Sequence, residues 1–254
     1  MTLQFTDLSR ILFIDIETVP ESANFEDIDT NKQQLWRKKA SNSSWYKKNY
    51  DDDSESIAQS FCEKAGIYAE FSKVVCISLG YFVLKENAIS YLKVKSFYSD
   101  NESEVLHSIS NVLHTHYNKP EQDHLCGHNI KEFDVPFLCR RLLINRLPLP
   151  KLIDVAGAKP WQTTQFIDTL QLWKFGDYKN YTSLDLIASA LHLPSPKNEM
   201  NGSQVRDVYY EQGDLVKIAK YCEQDVFTTA RVYLALNGMS DISEEQMVSQ
   251  TFAK

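Results

Sequence analysis

No apolar run in the chain is long enough to cross a bilayer, and the N-terminus does not show the basic-then-apolar pattern of a secretory signal. No membrane partner is expected. Paired cysteines are missing as well. Cys62, Cys76, Cys126, Cys139 and Cys222 are scattered, which argues against a zinc site or a disulfide framework and for a reducing cytoplasm. Cys76, Cys126 and Cys222 fall in apolar patterns and read as core residues. Internal repeats and low-complexity linkers are also absent. The 254 residues therefore read as one domain, 1–254, with an insertion at about 20–70 and a loose tail or short final helix over 237–254. Excess positive charge is the last thing lacking, since the formal net charge is −7. That weakens a protein that grips long duplex DNA without specificity. It does not exclude a nucleic-acid enzyme, because carboxylates around bound metal make a chain look more acidic than its working surface.

What is present begins with Ile11-Leu-Phe-Ile-Asp-Ile-Glu-Thr18, four apolar residues running into two carboxylates. The run, bounded by Pro20, predicts a central buried strand. Side chains alternate along a strand, so Asp15 and Glu17 point the same way. Like charges at that spacing raise each other's pKa, and an ionised carboxylate in a dry site carries a penalty of several kcal/mol. Either the strand end opens into water, or the pair holds divalent metal through carboxylate oxygen.

The segment 31–50 carries Lys32, Arg37, Lys38, Lys39, Lys47 and Lys48 among Trp36, Trp45, Tyr46 and Tyr50, with no acidic residue. Bases stack on rings while a backbone needs positive charge, so the stretch suits a single strand. It equally suits a partly buried insertion with core aromatics and solvated lysines. Asp51-Asp52-Asp53 then caps a helix running to about Glu70. Val74–Val83 and Ala88–Tyr98, around Lys85-Glu-Asn87, predict an antiparallel hairpin. Asp100-Asn101 with Glu104 opens a helix whose apolar face includes Val105, Leu106, Ile109 and Leu113. His107, His114 and His116 lie on or near it without partners at ligand spacing.

Leu125–Asn129 reads as a short strand ending in a loop. Asp134, before Val135-Pro136, reads alone as a helix N-cap. Asp168 reads as a second N-cap. Tyr178–Leu184 leads into a helix ending near Leu191, and Pro194-Ser-Pro196 breaks the chain. A long helix is predicted from about Gly213 to Leu236, with Leu215, Ile218, Ala219, Cys222, Val226, Ala230 and Tyr233 as its buried stripe. Tyr221 and Asp225 are one turn apart on it, and Asp225 lies near the edge of that stripe, able to face a cleft or solvent.

Three loci stand out in order: Asp15-Ile-Glu17, His128-Asn129 with Phe133-Asp134, and Tyr221-x-x-x-Asp225. Together they resemble the DEDD superfamily of 3′–5′ exonucleases, in its DEDDy branch. That branch includes the proofreading domains of family B DNA polymerases and stand-alone bacterial relatives of them. Phe13–Pro20, Gly127–Asp134 and Leu172–Asp185 are similar to that group, and the resemblance spans about residues 10–236.

The resemblance implies an α/β, ribonuclease H-like fold: a mixed five-stranded sheet opening with three antiparallel strands and flanked by helices. It implies hydrolysis of single-stranded DNA from the 3′ end to nucleoside 5′-monophosphates, with two Mg²⁺ or Mn²⁺ ions about 4 Å apart. Asp15 would bridge both ions, Glu17 and Asp225 would complete one site, and Asp134 would hold the second directly or through water. Tyr221 would orient the attacking water. Thr18, His128, Asn129 and Phe133 would contact substrate, Asn129 alternatively bracing the Asp134 loop. RNA as substrate, or an idle nucleic-acid-binding scaffold, are the competing readings. The sequence shows no polymerase segment, so any proofreading role requires a partner polymerase or repair protein.

Overall fold

The structure, a computed structural model, describes residues 7–51, 53–177, 181–194 and 200–252. Strand β1 is Ile11–Pro20. Helices α1 (Thr30–Asn42), α2 (Ser44–Asn49) and α3 (Ser54–Lys64) follow it, then the hairpin β2 (Ser72–Lys85) and β3 (Ala88–Tyr98). Next come α4 (Glu102–His116), β4 (His124–Gly127), α5 (Asp134–Ile144), β5 (Phe166–Asp168) and α6 (Thr169–Lys174). The chain continues through α7 (Leu184–Ala190), α8 (Val205–Tyr210), α9 (Leu215–Leu236) and β6 (Met247–Ser249).

The strands form a six-stranded mixed sheet in the order β5-β4-β1-β2-β3-β6. β1, β2 and β3 are antiparallel, and β4 runs parallel to β1 and β5 to β4. The hairpin turns at Glu86 and Asn87, both with positive φ (51° and 63°), the left-handed pair that a two-residue turn requires.

Alternation along β1 divides the core. Leu12, Ile14 and Ile16 join a cluster with α4 and α5 on one face, while Ile11 and Phe13 pack with α9 on the other. Asp15 and Glu17 therefore fall on the α9 face by their parity with Ile11 and Phe13. Helix α9 lies close against β2. A Cβ at Gly80 would stand 2.6 Å from Cγ1 of Val226, so only glycine lets the helix approach this far. Ile218, Ala219, Cys222, Val226, Ala230 and Tyr233 are buried, as the predicted stripe requires. No helix among the described residues is long and apolar enough to cross a membrane.

Two expectations are corrected here. The sheet has six strands because the tail, expected to be loose or helical over 237–254, places β6 beside β3 in parallel register, Leu92 opposite Met247. The tail is also tied down by a buried carboxylate: Glu223 on α9 accepts from Ser96 Oγ at 3.0 Å and from Thr251 Oγ1 at 2.5 Å. The helix expected to run to Glu70 stops at Lys64 and gives way to a short 3-10 turn at Ala65–Ile67.

The insertion is a small helical layer with its own core. Trp36 is fully buried, packed edge-on against Phe61, Tyr68 and Phe71, and its indole N–H donates to Ser60 Oγ at 3.1 Å. Tyr46 is buried and stacks on Tyr50, and Trp45 donates to the Tyr68 hydroxyl. The rings of 31–50 are thus structural rather than a platform for bases. Their lysines split: Lys32 pairs with Glu21, Lys39 sits over the Tyr68 ring, and Lys38, Lys47 and Lys48 face solvent.

Candidate active site

β4 pairs with β1 only as far as Phe13, so beyond that point one edge of β1 is open. A bulge in the β1–β2 register falls between Glu17 and Thr18, immediately after the two carboxylates. Bulges commonly re-aim side chains beside functional sites. The open end of β1, the start of α5 and the middle of α9 enclose a cleft of about 610 Å³ lined by Asp15, Glu17, Asp134, Tyr221 and Asp225. Its other walls are the end of α3 with the turn after it, the 128–133 loop, the segment at 181–185, and Arg206 of α8.

Asp134 is not the N-cap of α5. Phe133 occupies that position and Asp134 is the first helical residue, buried. The backbone N–H groups of Ile16 and of Asp134 itself steady its carboxylate. The loop before it is shaped by Asn129, which adopts φ +62° and whose carbonyl accepts from the N–H groups of Glu132 and Phe133.

Asp168 does cap α6, accepting from the N–H groups of Leu170 and Gln171, and it also accepts from the N–H groups of Asn129 and Lys131. One buried carboxylate thus holds two elements in register. Asn129 braces the Asp134 loop through its backbone, and its side chain lines the cleft.

Burial dominates the electrostatics. It pushes Asp15 well above the carboxylate range, reinforced by Asp225 and Asp134. Glu17 is raised likewise, by burial and then by Asp15. Asp134 and Asp225 are each pushed up to about 7, mainly by burial. The Tyr221 hydroxyl donates to Asp225, and burial with three neighbouring carboxylates raises its pKa far above the ordinary phenol value.

None of the four carboxylates joins a salt bridge among the described residues. Oδ2 of Asp15 is buried without a hydrogen-bond partner. Such groups call for a cation. Oxygens of Asp15 and Glu17 and the Cys222 sulfur lie within 4.8 Å of one another. The thiol is engaged elsewhere, donating to the Asp15 carbonyl at 3.3 Å, and hard divalent cations prefer carboxylate oxygen to sulfur. The donor set that remains is all oxygen, which fits Mg²⁺ or Mn²⁺.

The expected substrate contacts are placed unevenly. Phe133 and Asn129 line the cleft. His128 lines it too, but both ring nitrogens are engaged: Nε2 donates to the Thr182 carbonyl and Nδ1 meets Thr169 Oγ1, each at 2.9 Å. Burial also lowers its pKa. His128 therefore anchors the cleft wall. The Thr18 hydroxyl donates to the Gly66 carbonyl at 2.7 Å, pinning the end of the insertion to β1.

Sequence reasoning missed Lys64, Asp185 and Arg206 in the cleft lining. Asp185 had a signal, an acidic residue in the first turn after the Ser183 cap. The other two come from elements that meet only in three dimensions. Residues 178–180, part of the quoted 172–185 stretch, and Ser195-Pro196 lie outside the described residues.

Comparison with known proteins agrees with this geometry. The chain is similar in structure to the family B DNA polymerase from the hyperthermophilic archaeon Pyrobaculum calidifontis, with a TM-score of 0.53 at 14% identity. The match covers 88% of this chain and 24% of the polymerase chain, so it identifies a ribonuclease H-like fold spanning about a quarter of that protein. No curated protein matches the chain. Residues 67–254 match the family described as "Predicted 3′-5′ exonuclease related to the exonuclease domain of PolB". That stretch contains Asp134, Tyr221 and Asp225 and begins after Asp15, Glu17 and nearly all of the insertion. With most of its length in that match, the chain belongs to the family of predicted 3′–5′ exonucleases related to the exonuclease domain of PolB.

Proposed function

We propose that this protein is a metal-dependent 3′–5′ exonuclease that removes nucleoside 5′-monophosphates from the 3′ end of single-stranded nucleic acid, DNA in preference to RNA. The observation that carries the reading is the meeting of four carboxylates and one tyrosine, from three distant stretches of chain, around an unpaired buried oxygen of Asp15. Asp15 would hold both of two divalent ions, Glu17 and Asp225 completing one ligand set and Asp134 the other. Ions bound there supply charge neutralisation at phosphorus and lower the pKa of water.

The remaining work falls to the chain's own side chains. Tyr221 stays protonated at neutral pH with its one proton directed at Asp225, so it acts as a positioning group whose oxygen accepts a hydrogen bond, and not as a base. Its hydroxyl, fixed by Asp225, orients the attacking water. Phe133 and Asn129 face the terminal nucleotide. The bulge after Glu17 and the Thr18–Gly66 hydrogen bond keep the floor of the cleft rigid.

The test uses 5′-labelled single-stranded DNA and RNA of matched sequence with Mg²⁺, Mn²⁺ or EDTA, beside Asp15→Ala protein. A metal-dependent ladder shortening from the 3′ end, stronger on DNA and absent in the variant, is expected. Blank lanes with metal binding still detected would overturn the reading in favour of a binding protein.

A further inference from the structure

A 3′ end lying over the carboxylates leaves the rest of the strand to leave the cleft somewhere, and the surface beside the 128–136 segment has the chemistry to receive it. Residues 139–176 hold six Lys and Arg against two Asp and no Glu, in a chain whose net charge is −7. Arg141 is spent on Glu102 in the core, and Asp168 is the buried cap described above. The other five cations, Arg140, Arg146, Lys151, Lys159 and Lys174, join no salt bridge among the described residues. A groove of about 450 Å³ runs here, with Lys131, Arg140, Pro160 and Gln171 in its lining and one acidic residue, Glu132, among them.

Exposed rings stand along the same surface. Trp161, beside Pro160, is 71% exposed with Lys159 over its ring. Phe175 is 89% exposed and is the C-cap residue of α6, four positions after Gln171 of the groove lining. It also adopts φ +45°, a left-handed conformation that bulky residues avoid, so it combines solvent exposure with backbone strain. Tyr181, 64% exposed, stands in the lining of the catalytic cleft itself. The two concavities share one ridge: His128, Asn129, Phe133 and Asp134 face the cleft, while Lys131, Glu132, Val135 and Pro136 face the groove. Lys174 lies close enough to His128 to influence its protonation, which ties the end of α6 to the cleft wall.

Resting on the exonuclease reading, we propose that this basic, aromatic face holds the single strand on the 5′ side of the scissile bond, with Trp161 and Phe175 stacking on bases and Lys131, Arg140 and Lys159 meeting phosphates. The grip is tolerant of sequence, because every base offers a π face, and it is lost as salt rises. The strand-holding role that the sequence offered to 31–50 is thus assigned to this face instead, since no residue of 31–50 lines either concavity.

The test separates this surface from the chemistry. Fluorescence anisotropy with a labelled single-stranded DNA 15-mer in EDTA compares the full chain with Trp161→Ala and with Lys159→Glu/Arg140→Glu. Cleavage of a trinucleotide and of the 15-mer is followed in Mn²⁺. Roughly tenfold weaker 15-mer binding in each variant, consistent with one stacking or charge contact, supports the proposal when trinucleotide cleavage is unchanged. Unchanged 15-mer binding in both variants, with cleavage intact, overturns it and leaves the face to a protein partner. A wild type that binds through Trp161 but cleaves nothing retains the strand-holding face and overturns the exonuclease reading alone.

Discussion

Asp15 meets Asp134 and Asp225 in a cleft where burial already disfavours charge. The sign of its effect on stability follows from linkage. Its folded-state pKa, like those of Glu17, Asp134 and Asp225, lies above the unfolded value near 4. The stability these groups contribute is present below that unfolded value and is lost as pH rises through about 7, where Asp134 and Asp225 ionise. Oδ2 of Asp15 has no partner to lose. In EDTA at pH 8, Asp15→Asn protein should therefore melt about 2–4 °C above the wild type, equivalent to about 1 kcal/mol, and the difference should narrow below about pH 7 and close only as pH falls to about 4. Added Mn²⁺ should invert the order at pH 8, because only the wild type gains ligand-linked stability. A variant that melts lower than the wild type in EDTA at pH 8 would contradict the electrostatic account.

At the scale of elements, the site depends on how closely α9 rests on β2. Tyr221, Cys222 and Asp225 reach the β1 carboxylates only because Gly80 leaves room for Val226. Gly80→Ala places a Cβ where a stiff β-branched side chain already lies, an overpacking cost of about 1–3 kcal/mol. The helix should shift as well as loosen. The expected result is a lower Tm together with a Mn²⁺-dependent Tm gain smaller than the wild type's. A lower Tm with the full gain would show that the helix holds its position and that the cost is local. The sequence announced α9 through its apolar stripe, and it announced Asp225 at the edge of that stripe. It gave no sign of Glu223, which is buried yet satisfied by Ser96 and Thr251 from two other elements. Glu102, buried against Arg141 and the Val74 N–H, is likewise invisible to local pattern.

For the molecule as a whole, the insertion is a second small core leaning on the sheet by its last turn. Phe25, Trp36, Ile57, Phe61 and Phe71 form a cluster separate from the ones that cover the sheet. Thr18 and Gly66 join the two at the cleft. Trp36→Ala removes a fully buried side chain, at a cost of about 3–5 kcal/mol. Amide exchange should then accelerate across α1 to α3 while β1, β2 and α9 keep their protection. Uniform loss of protection across the sheet would show one cooperative core instead.

The sequence by itself determined the local elements and the chemical inventory. The apolar run of β1, the hairpin turn, the caps at Asn101, Asp168 and Ser183, and the stripe of α9 are all set by neighbours within a few residues. Asp15 and Glu17 were legible as a same-facing pair from strand period, and Tyr221 and Asp225 as helix neighbours, but Asp134 and the grouping of all five came only through the resemblance of the ordered loci to a known family. Tertiary structure decided which of these groups share a cleft and which polar atoms remain available there. It turned the aromatics of 31–50 inward, engaged both nitrogens of His128, made Asp134 a helical residue facing the site and drew the tail into the sheet. Those outcomes depend on burial and on hydrogen-bond partners contributed by distant segments, and no local period in the chain encodes them.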